Sequence, residues 1–280
     1  MKYNIFILGG LAALCLAACQ KQETKETAFQ SEFTYHLTQN DSCTLEITDS
    51  LAYYETFEGG DALRDRLNAT IFKMVFAKDE GGKSLQEAFD AHCKEASEDY
   101  QKEIGEFYQD ILNDIGEDEE FPFYQCRWTE NTTSSFGVRI QDLQGYNLNA
   151  WNYQGGAHGM FYEIPKILNL KTGEEVTESM LFKEGYKEPL TELIRKNAKK
   201  KYNGVTGDPY ETLTEESLVP NDFCGIARDG VLWKYQPYEA AAYASGIISV
   251  TVPWEDLKDW INPEYLDVEK AIAEAKVTED

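Results

Sequence analysis

The sequence predicts an α+β fold in which antiparallel sheets carry helices on one face and two closely associated subdomains form. Segments with alternating apolar and polar residues, typical of half-buried strands, are grouped together instead of alternating regularly with helical segments. Two amphipathic helical patterns follow each other within residues 61–115. Asp229-Gly230 separates two apolar segments, and this pair is typical of a tight β-hairpin. Grouped strands and hairpin turns favour this class over an alternating α/β fold.

The first half of the chain is predicted to form a strand, two helices and a β-rich segment. Residues 43–53 alternate apolar and polar side chains, the pattern of a half-buried strand. Asp61 can cap a first helix, and Ser84 with Glu87 forms a capping box that opens a longer second helix. Further strands are predicted at 124–128 and 136–140, with Asn131-Thr132-Thr133 as a hairpin connection between them.

The second half is predicted to contain two strands around a glycine-rich turn, then helices and three shorter strands. Lysines gather in the last turn of the helix over residues 187–202, where the helix dipole favours them. The predicted strands are 146–151, 160–170, 223–227, 231–235 and 248–254, and the predicted helices are 177–182, 187–202, 254–261 and, as a helix or frayed tail, 264–276.

The N-terminus has the pattern of an export signal. Lys2 precedes an apolar segment, Ile5 to Ala18, that is too short for a comfortable membrane span and suits a signal peptide. The segment ends Leu16-Ala17-Ala18-Cys19, which resembles the bacterial lipobox. We therefore expect cleavage after residue 18, lipidation of Cys19, a polar tether over residues 19–30, and a location in the cell envelope, facing the periplasm or exposed at the surface.

The chain is strongly acidic, with a formal net charge of −24 at pH 7. Nucleic acid is excluded as a partner because its phosphates would be repelled. The same charge would attract a basic protein by electrostatic steering, although it also serves solubility alone.

Four cysteines remain once the N-terminal segment is set aside. They are Cys43, Cys93, Cys126 and Cys224, an even number in a chain expected to be exported. One or two disulfides are therefore expected, with three possible pairings of the four. No Cys-x-x-Cys spacing indicates a redox or zinc site.

A glycine-rich segment over residues 151–160 contains one of the three histidines, His158. Gly155 and Gly156 indicate a backbone with positive φ or a close approach to another segment. We expect His158 to bridge two strands by donating to a backbone carbonyl, with direct contact to a partner as the alternative. Tyr153 beside this turn, and Tyr238 and Tyr243 later in the chain, suit either packing or an interface.

Catalytic motifs are missing from the sequence. A zinc enzyme needs three protein ligands, whereas His36, His92 and His158 lie far apart and form no paired-histidine motif. A serine triad would lack the Gly-x-Ser-x-Gly elbow, but a pairing of His158 with Cys126 or Cys224 stays open. No dinucleotide or Walker glycine pattern occurs. Neither a metal nor a cofactor is expected.

Three segments, in order, carry a family resemblance. They are Tyr153-Gln154-Gly155-Gly156-Ala157-His158-Gly159, then Leu168 to Gly173 followed by Met180-Leu181-Phe182, and finally Asp229 to Trp233 followed by Val250 to Trp254. Together they resemble the C-terminal domain of RsiV-type anti-sigma factors, which also accompanies deacetylases in PdaC-like envelope proteins. The resemblance assigns residues 146–262 to that domain, residues 31–145 to its usual upstream partner domain and residues 263–280 to a helix or tail.

The resemblance implies an extracytoplasmic binding domain and not an enzyme. In RsiV-type proteins this domain recognises lysozyme, a basic protein, whereas we expect neither anti-sigma nor deacetylase activity to carry over. The expected function is thus a lipid-anchored envelope protein that binds a lysozyme-like basic protein or a peptidoglycan fragment. The alternative is an envelope hydrolase that uses His158. The candidate binding residues are Tyr153, Gly155, Gly156, His158, Tyr238 and Tyr243.

Overall fold

The computed structural model describes residues 23–38, 43–76, 84–116, 122–202 and 213–277. It confirms the α+β class, with a five-stranded and a three-stranded sheet and their associated helices. The expected signal peptide over residues 1–18 and the lipidation site Cys19 lie outside the described residues. Within these ranges no helix is both long and apolar enough to span a membrane.

The larger sheet has the strand order β1-β2-β3-β4-β5. All of its neighbouring pairs are antiparallel except β2 with β3, which run parallel. A parallel pair needs a crossover connection, and here helices α1 and α2 supply it. The strands are β1 Lys25–His36, β2 Thr44–Thr56, β3 Trp128–Ile140, β4 Leu143–Gln154 and β5 Met160–Asn169.

Three sequence-based boundaries differ from this sheet. The expected tether over residues 19–30 ends early, because residues from Lys25 onward pair with β2. The expected hairpin at residues 131–133 lies inside β3, where pairing with both β2 and β4 keeps the chain extended. The expected boundary at residues 145 and 146 lies inside β4, because this one sheet takes strands from both expected subdomains.

Helices α1 (Asp61–Phe76) and α2 (Leu85–Asp114) cover the larger sheet. The predicted capping box is present, since the Ser84 hydroxyl accepts from the Glu87 backbone N–H and the Glu87 carboxylate accepts from the Ser84 backbone N–H. Apolar side chains of α2 pack against the start of β2, and those of α1 pack against Tyr54 on β2 and Tyr146 on β4. Two adjacent cores thus stabilise the N-terminal half.

The smaller sheet has the antiparallel order β6-β7-β8. The predicted Arg228-Asp229-Gly230 turn joins β6 to β7. Trp233 and Trp254, both buried, lie at the centre of the third core. The elements of this half are α3 Glu178–Leu181, α4 Lys187–Tyr202, β6 Cys224–Ala227, β7 Gly230–Tyr235, β8 Ile248–Pro253, α5 Trp254–Leu257 and α6 Val268–Val277.

The two sheets meet where β6 approaches β5. A Cβ added to Gly225 would lie 2.7 Å from the Cβ of Pro165, so the contact requires a glycine on β6. On β5, the backbone N–H of Glu163 donates to the Gln236 side chain (3.0 Å), and the Gln236 amide donates to the Glu163 carbonyl (2.9 Å). The Gln236 side chain thereby makes the same two kinds of backbone hydrogen bond that a neighbouring strand would make. These bonds hold the segment after β7 against β5.

The expected disulfides are not formed in the structure. Cys43, Cys93, Cys126 and Cys224 are free, buried thiols. Three of them lie in the core beneath α2, and Cys224 lies in the core of the smaller sheet. Packing in apolar cores accounts for their burial.

Candidate functional site

The glycine-rich turn joins β4 to β5 in the conformation that its composition predicts. Gly155 (φ 83°) and Gly156 (φ 90°) are both left-handed. A Cβ added to Gly155 would lie 3.0 Å from the Gln125 carbonyl oxygen, and one added to Gly159 would lie 2.6 Å from the Asn152 carbonyl oxygen. This turn therefore requires glycine for two reasons, the positive φ of its backbone and the close approach of another backbone segment.

His158 is exposed on this turn and does not bridge two strands. Its Nδ1 lies 3.0 Å from the carbonyl oxygen of the next residue, Gly159, and its Nε2 lies 3.3 Å from the Tyr238 hydroxyl. One consistent tautomer carries the proton on Nδ1, so that Nε2 accepts from the tyrosine. The expected strand bridge is wrong, because His158 lies on the exposed turn between β4 and β5 and its ring contacts the adjacent Gly159 carbonyl and the Tyr238 hydroxyl.

Two tyrosines from the loop after β7 meet the histidine ring. Tyr243 stacks on His158 with ring centroids 4.0 Å apart and planes 22° apart, and its hydroxyl donates to the Gly159 carbonyl (2.8 Å). Tyr238 lies further out, with centroids 6.5 Å from the histidine, and its side chain is 60% exposed. The structure thus brings together three residues that the sequence separates by 85 positions.

Polar contacts hold this loop in place. The Gln236 backbone N–H donates to the Glu239 carboxylate (2.8 Å), which also accepts from the Asn221 side chain (2.8 Å). Tyr238, between them, has φ 70°, a conformation that costs a non-glycine residue about 1 to 3 kcal/mol. The surrounding contacts therefore hold an exposed aromatic side chain in a strained position, which is a feature common at binding sites.

Two further aromatic side chains extend the surface along β4. Trp151, 39% exposed, stacks parallel to Tyr153 with centroids 6.3 Å apart. The indole also covers Gly159, since a Cβ there would lie 2.8 Å from its ring. The Tyr153 hydroxyl donates to the Gly156 carbonyl (3.0 Å). We call Trp151, Tyr153, His158, Tyr238 and Tyr243 the aromatic cluster.

The structure brings all six predicted binding residues together. Tyr153, His158, Tyr238 and Tyr243 belong to the aromatic cluster, and Gly155 and Gly156 form the turn beside it. Trp151 was not among the predicted residues. Its position could have indicated it, because residues two apart on a strand share a face and Trp151 lies two residues before Tyr153 on β4.

The contacts of His158 give little support to the catalytic alternatives. Both ring nitrogens lie next to groups that are neither carboxylate nor thiol. Cys126 and Cys224 are buried in separate cores, and burial raises the pKa of each thiol, that of Cys224 well above its usual range. Among the residues that the structure describes, no group of three potential metal ligands occurs.

A polar cluster around the buried Asp49 was not predicted. Asp49 is 3% exposed in β2, and burial raises the pKa of its carboxyl to about 6. Nearby, His92 Nε2 lies 3.1 Å from the Glu130 carboxylate, and that hydrogen bond raises the pKa of His92. The sequence pattern could have indicated this cluster, because Asp49 falls between Ile47 and Leu51 on the apolar face of the predicted strand.

Comparisons with known proteins agree with the fold. Residues 179–255 match the family described as "Protein of unknown function (DUF3298)". The chain is similar to a solved member of that family from Bacteroides fragilis NCTC 9343, with 19% identity and a TM-score of 0.73 over 92% of this chain and 99% of that chain. It is also similar to a DUF3298 family protein from Pseudomonas aeruginosa PAO1, with 13% identity and a TM-score of 0.57 over 87% of this chain and 97% of that chain.

No curated protein matches the sequence. At these identities the two solved structures inform the fold alone, and the matched family has no assigned function. Residues 179–255 therefore match the DUF3298 family model, and the aligned part of the chain shares the fold of two solved DUF3298 family proteins.

Proposed function

We propose that this chain is a lipid-anchored binding protein of the bacterial envelope whose aromatic cluster contacts the ligand. The ligand is a basic, lysozyme-like wall-active protein or a peptidoglycan fragment. The observation that carries the proposal is the aromatic cluster, in which Trp151, His158 and Tyr238 are exposed and Tyr238 has a strained backbone. The lipobox at Cys19 supports the anchor.

The cluster has the composition and rigidity of a binding surface. Tryptophan and tyrosine dominate the energetics of protein interfaces because they bury a large area and lose little conformational freedom. Here Trp151 and Tyr238 are exposed, whereas most large aromatic side chains of the described residues are buried or half-buried. Hydrogen bonds to Gly156 and Gly159 fix Tyr153 and Tyr243, so the surface is ordered before a ligand arrives.

Charge favours a basic protein over a neutral glycan. The net charge of −24 gives a long-range field that accelerates encounter with a cationic partner. The resemblance to the RsiV-type domain over residues 146–262 names lysozyme as the first protein to test. Peptidoglycan fragments remain the second ligand, because aromatic side chains also stack on the apolar faces of sugar rings.

Calorimetric titration of the full chain in detergent tests both ligands. We expect lysozyme to bind at about 20 mM salt and to bind at least tenfold more weakly at about 300 mM, where charges beyond a few ångströms are screened. Binding of soluble peptidoglycan fragments with little salt dependence would assign the glycan instead. Absence of binding to both ligands at low salt would refute the proposal.

The hydrolase alternative predicts turnover of wall fragments that is lost in His158→Ala without loss of folding. The exposure of His158 favours access of a substrate, but its hydrogen-bond partners are one tyrosine hydroxyl and a carbonyl. If wild-type protein cleaves wall fragments and folded His158→Ala does not, the function is that of an envelope hydrolase and not that of a binding protein.

A further inference from the structure

Two of the four buried cysteines lie side by side. Cys43 stands directly before β2, and Cys126 ends a 3₁₀ turn, Phe123–Cys126, that Arg127 joins to β3. The parallel pairing of β2 with β3 begins with Leu45 opposite Trp128. Cys43 lies two residues before Leu45, and Cys126 lies two residues before Trp128. Cys43 is 1% exposed and Cys126 is fully buried, and both side chains lie in the same hydrophobic core.

The other two cysteines have different surroundings. Cys93, on α2, lies near the carboxylates of Asp49 and Asp90. Cys224 lies in the core of the smaller sheet, next to the charges of Glu178 and Asp222. Disulfide geometry requires two cysteines whose backbones are already close, and Cys43 and Cys126 lie at matching positions before the paired strands β2 and β3.

We propose that Cys43 and Cys126 form a disulfide bond when the chain folds under oxidising conditions. A thiolate of one cysteine attacks an oxidant disulfide, such as oxidised glutathione, and releases one reduced thiol. The second cysteine then displaces the remaining thiol from the mixed disulfide. The pair loses two protons and two electrons, the Sγ–Sγ bond forms, and the oxidant is reduced to two thiols.

The bond would anchor the segment beneath the glycine turn. Cys126 belongs to the same 3₁₀ turn as Gln125, whose carbonyl oxygen approaches Gly155. The Cys126 carbonyl also accepts a hydrogen bond from Tyr100 on α2 (2.6 Å). A covalent link to Cys43 would thus fix the turn to the start of β2 as well as to α2.

Burial explains when the bond must form. Burial raises the pKa of the Cys43 thiol to about 12 and raises that of Cys126 as well. Because only a thiolate attacks a disulfide, the folded protein exchanges slowly. The bond therefore forms while the core is still open, and the folded core then protects it from reductant.

Peptide mapping of the full chain tests the pairing. The protein is refolded in a mixture of oxidised and reduced glutathione, alkylated with iodoacetamide under denaturing conditions, digested and analysed by mass spectrometry. We expect one cross-linked pair that joins Cys43 to Cys126, with alkylated Cys93 and Cys224. Alkylation of all four, or a cross-link that includes Cys93 or Cys224, would overturn the proposal.

Melting temperature provides a second readout. A bond that closes a loop of this length stabilises the folded state, so unfolding in the presence of dithiothreitol should lower the melting temperature of the oxidised protein by about 5 to 10 °C. Cys93→Ser, a substitution in the same core, should keep this shift, whereas Cys43→Ser should lose it. Loss of the shift in Cys93→Ser with retention in Cys43→Ser would refute the pairing. If Cys43→Ser does not fold, the wild-type peptide map decides.

Discussion

Replacement of Glu178 by alanine is expected to lower the free energy of unfolding by about 3 to 5 kcal/mol. The carboxylate is 2% exposed and accepts three hydrogen bonds, from the Trp233 indole (2.8 Å), the Tyr186 hydroxyl (2.9 Å) and the Asp222 backbone N–H (3.2 Å). Its removal leaves the Trp233 and Tyr186 donors without their acceptor inside the core of the smaller sheet. An unsatisfied buried donor costs about 1 to 3 kcal/mol, which makes this the most sensitive polar residue of that core.

Urea denaturation followed by tryptophan fluorescence measures this loss. Glu178→Gln retains one acceptor oxygen and should lose less stability than Glu178→Ala. Glu184→Ala, an exposed glutamate before α4, provides the matched control and should stay within about 0.5 kcal/mol of wild type. A Glu178→Ala variant as stable as the Glu184→Ala control would show that the buried carboxylate does not organise the core.

The second large effect is a pH dependence that originates in the polar cluster around the buried Asp49. Burial raises the pKa of Asp49 from 3.8 to about 6, so the folded state binds this proton more tightly than the unfolded state. Stability from this group is therefore present below pH 3.8 and is lost as the pH rises towards 6. The pKa of His92 is also raised, chiefly by its hydrogen bond to Glu130, so its contribution is likewise lost with rising pH.

Asp49→Asn removes the ionisation but keeps the shape and a hydrogen-bonding group. At pH 7 we expect this variant to be more stable than wild type by up to about 3 kcal/mol, the free energy that corresponds to the pKa shift. The advantage should shrink as the pH falls to about 4, where wild-type Asp49 is largely protonated. Urea midpoints across this range measure the difference, with the exposed Glu32→Gln on β1 as control.

An equal pH dependence in wild type and Asp49→Asn would contradict this explanation. A variant that is less stable than wild type at pH 7 but equally stable at pH 4 would show that the charge of Asp49, attracted by His92, outweighs the cost of its burial. The Glu32→Gln control separates either result from the general effect of removing one negative charge from an acidic chain.

Local chemistry made much of the fold predictable. The Ser84–Glu87 capping box fixes the start of α2, and the Asp229-Gly230 turn fixes the β6–β7 hairpin, because both depend on residues close in sequence. The glycine turn was recognised for the same reason. Its backbone conformation is set by Gly155 and Gly156 themselves, whatever packs around them.

Long-range pairing was not predictable. Residues 131–133 resemble a turn in composition, but β2 and β4 pair with them from both sides and hold them extended. The parallel β2–β3 pair depends on how the two helices between them cross the sheet. Tertiary contacts therefore overrode local propensity at these places.

The candidate site was likewise predictable where it depends on local residues and not where it depends on long-range contacts. The sequence identified Tyr238, Tyr243 and His158 separately, but their contact depends on the Gln236 side chain, which pairs with the backbone of Glu163 on a different sheet. No local pattern marks a glutamine for that role. The exposure of His158 likewise follows from the direction of the turn and not from its composition.

The most direct test of the central claim is the affinity of the double variant Trp151→Ala, Tyr238→Ala for the ligand identified by titration. Both substitutions remove exposed aromatic area without opening a core. We expect an affinity at least thirtyfold below wild type, which corresponds to about 2 kcal/mol or more for an interface centre. Leu112→Ala, which removes a side chain that is 45% exposed on α2, should bind as wild type does. Unchanged affinity in the folded double variant would contradict a binding role for the aromatic cluster.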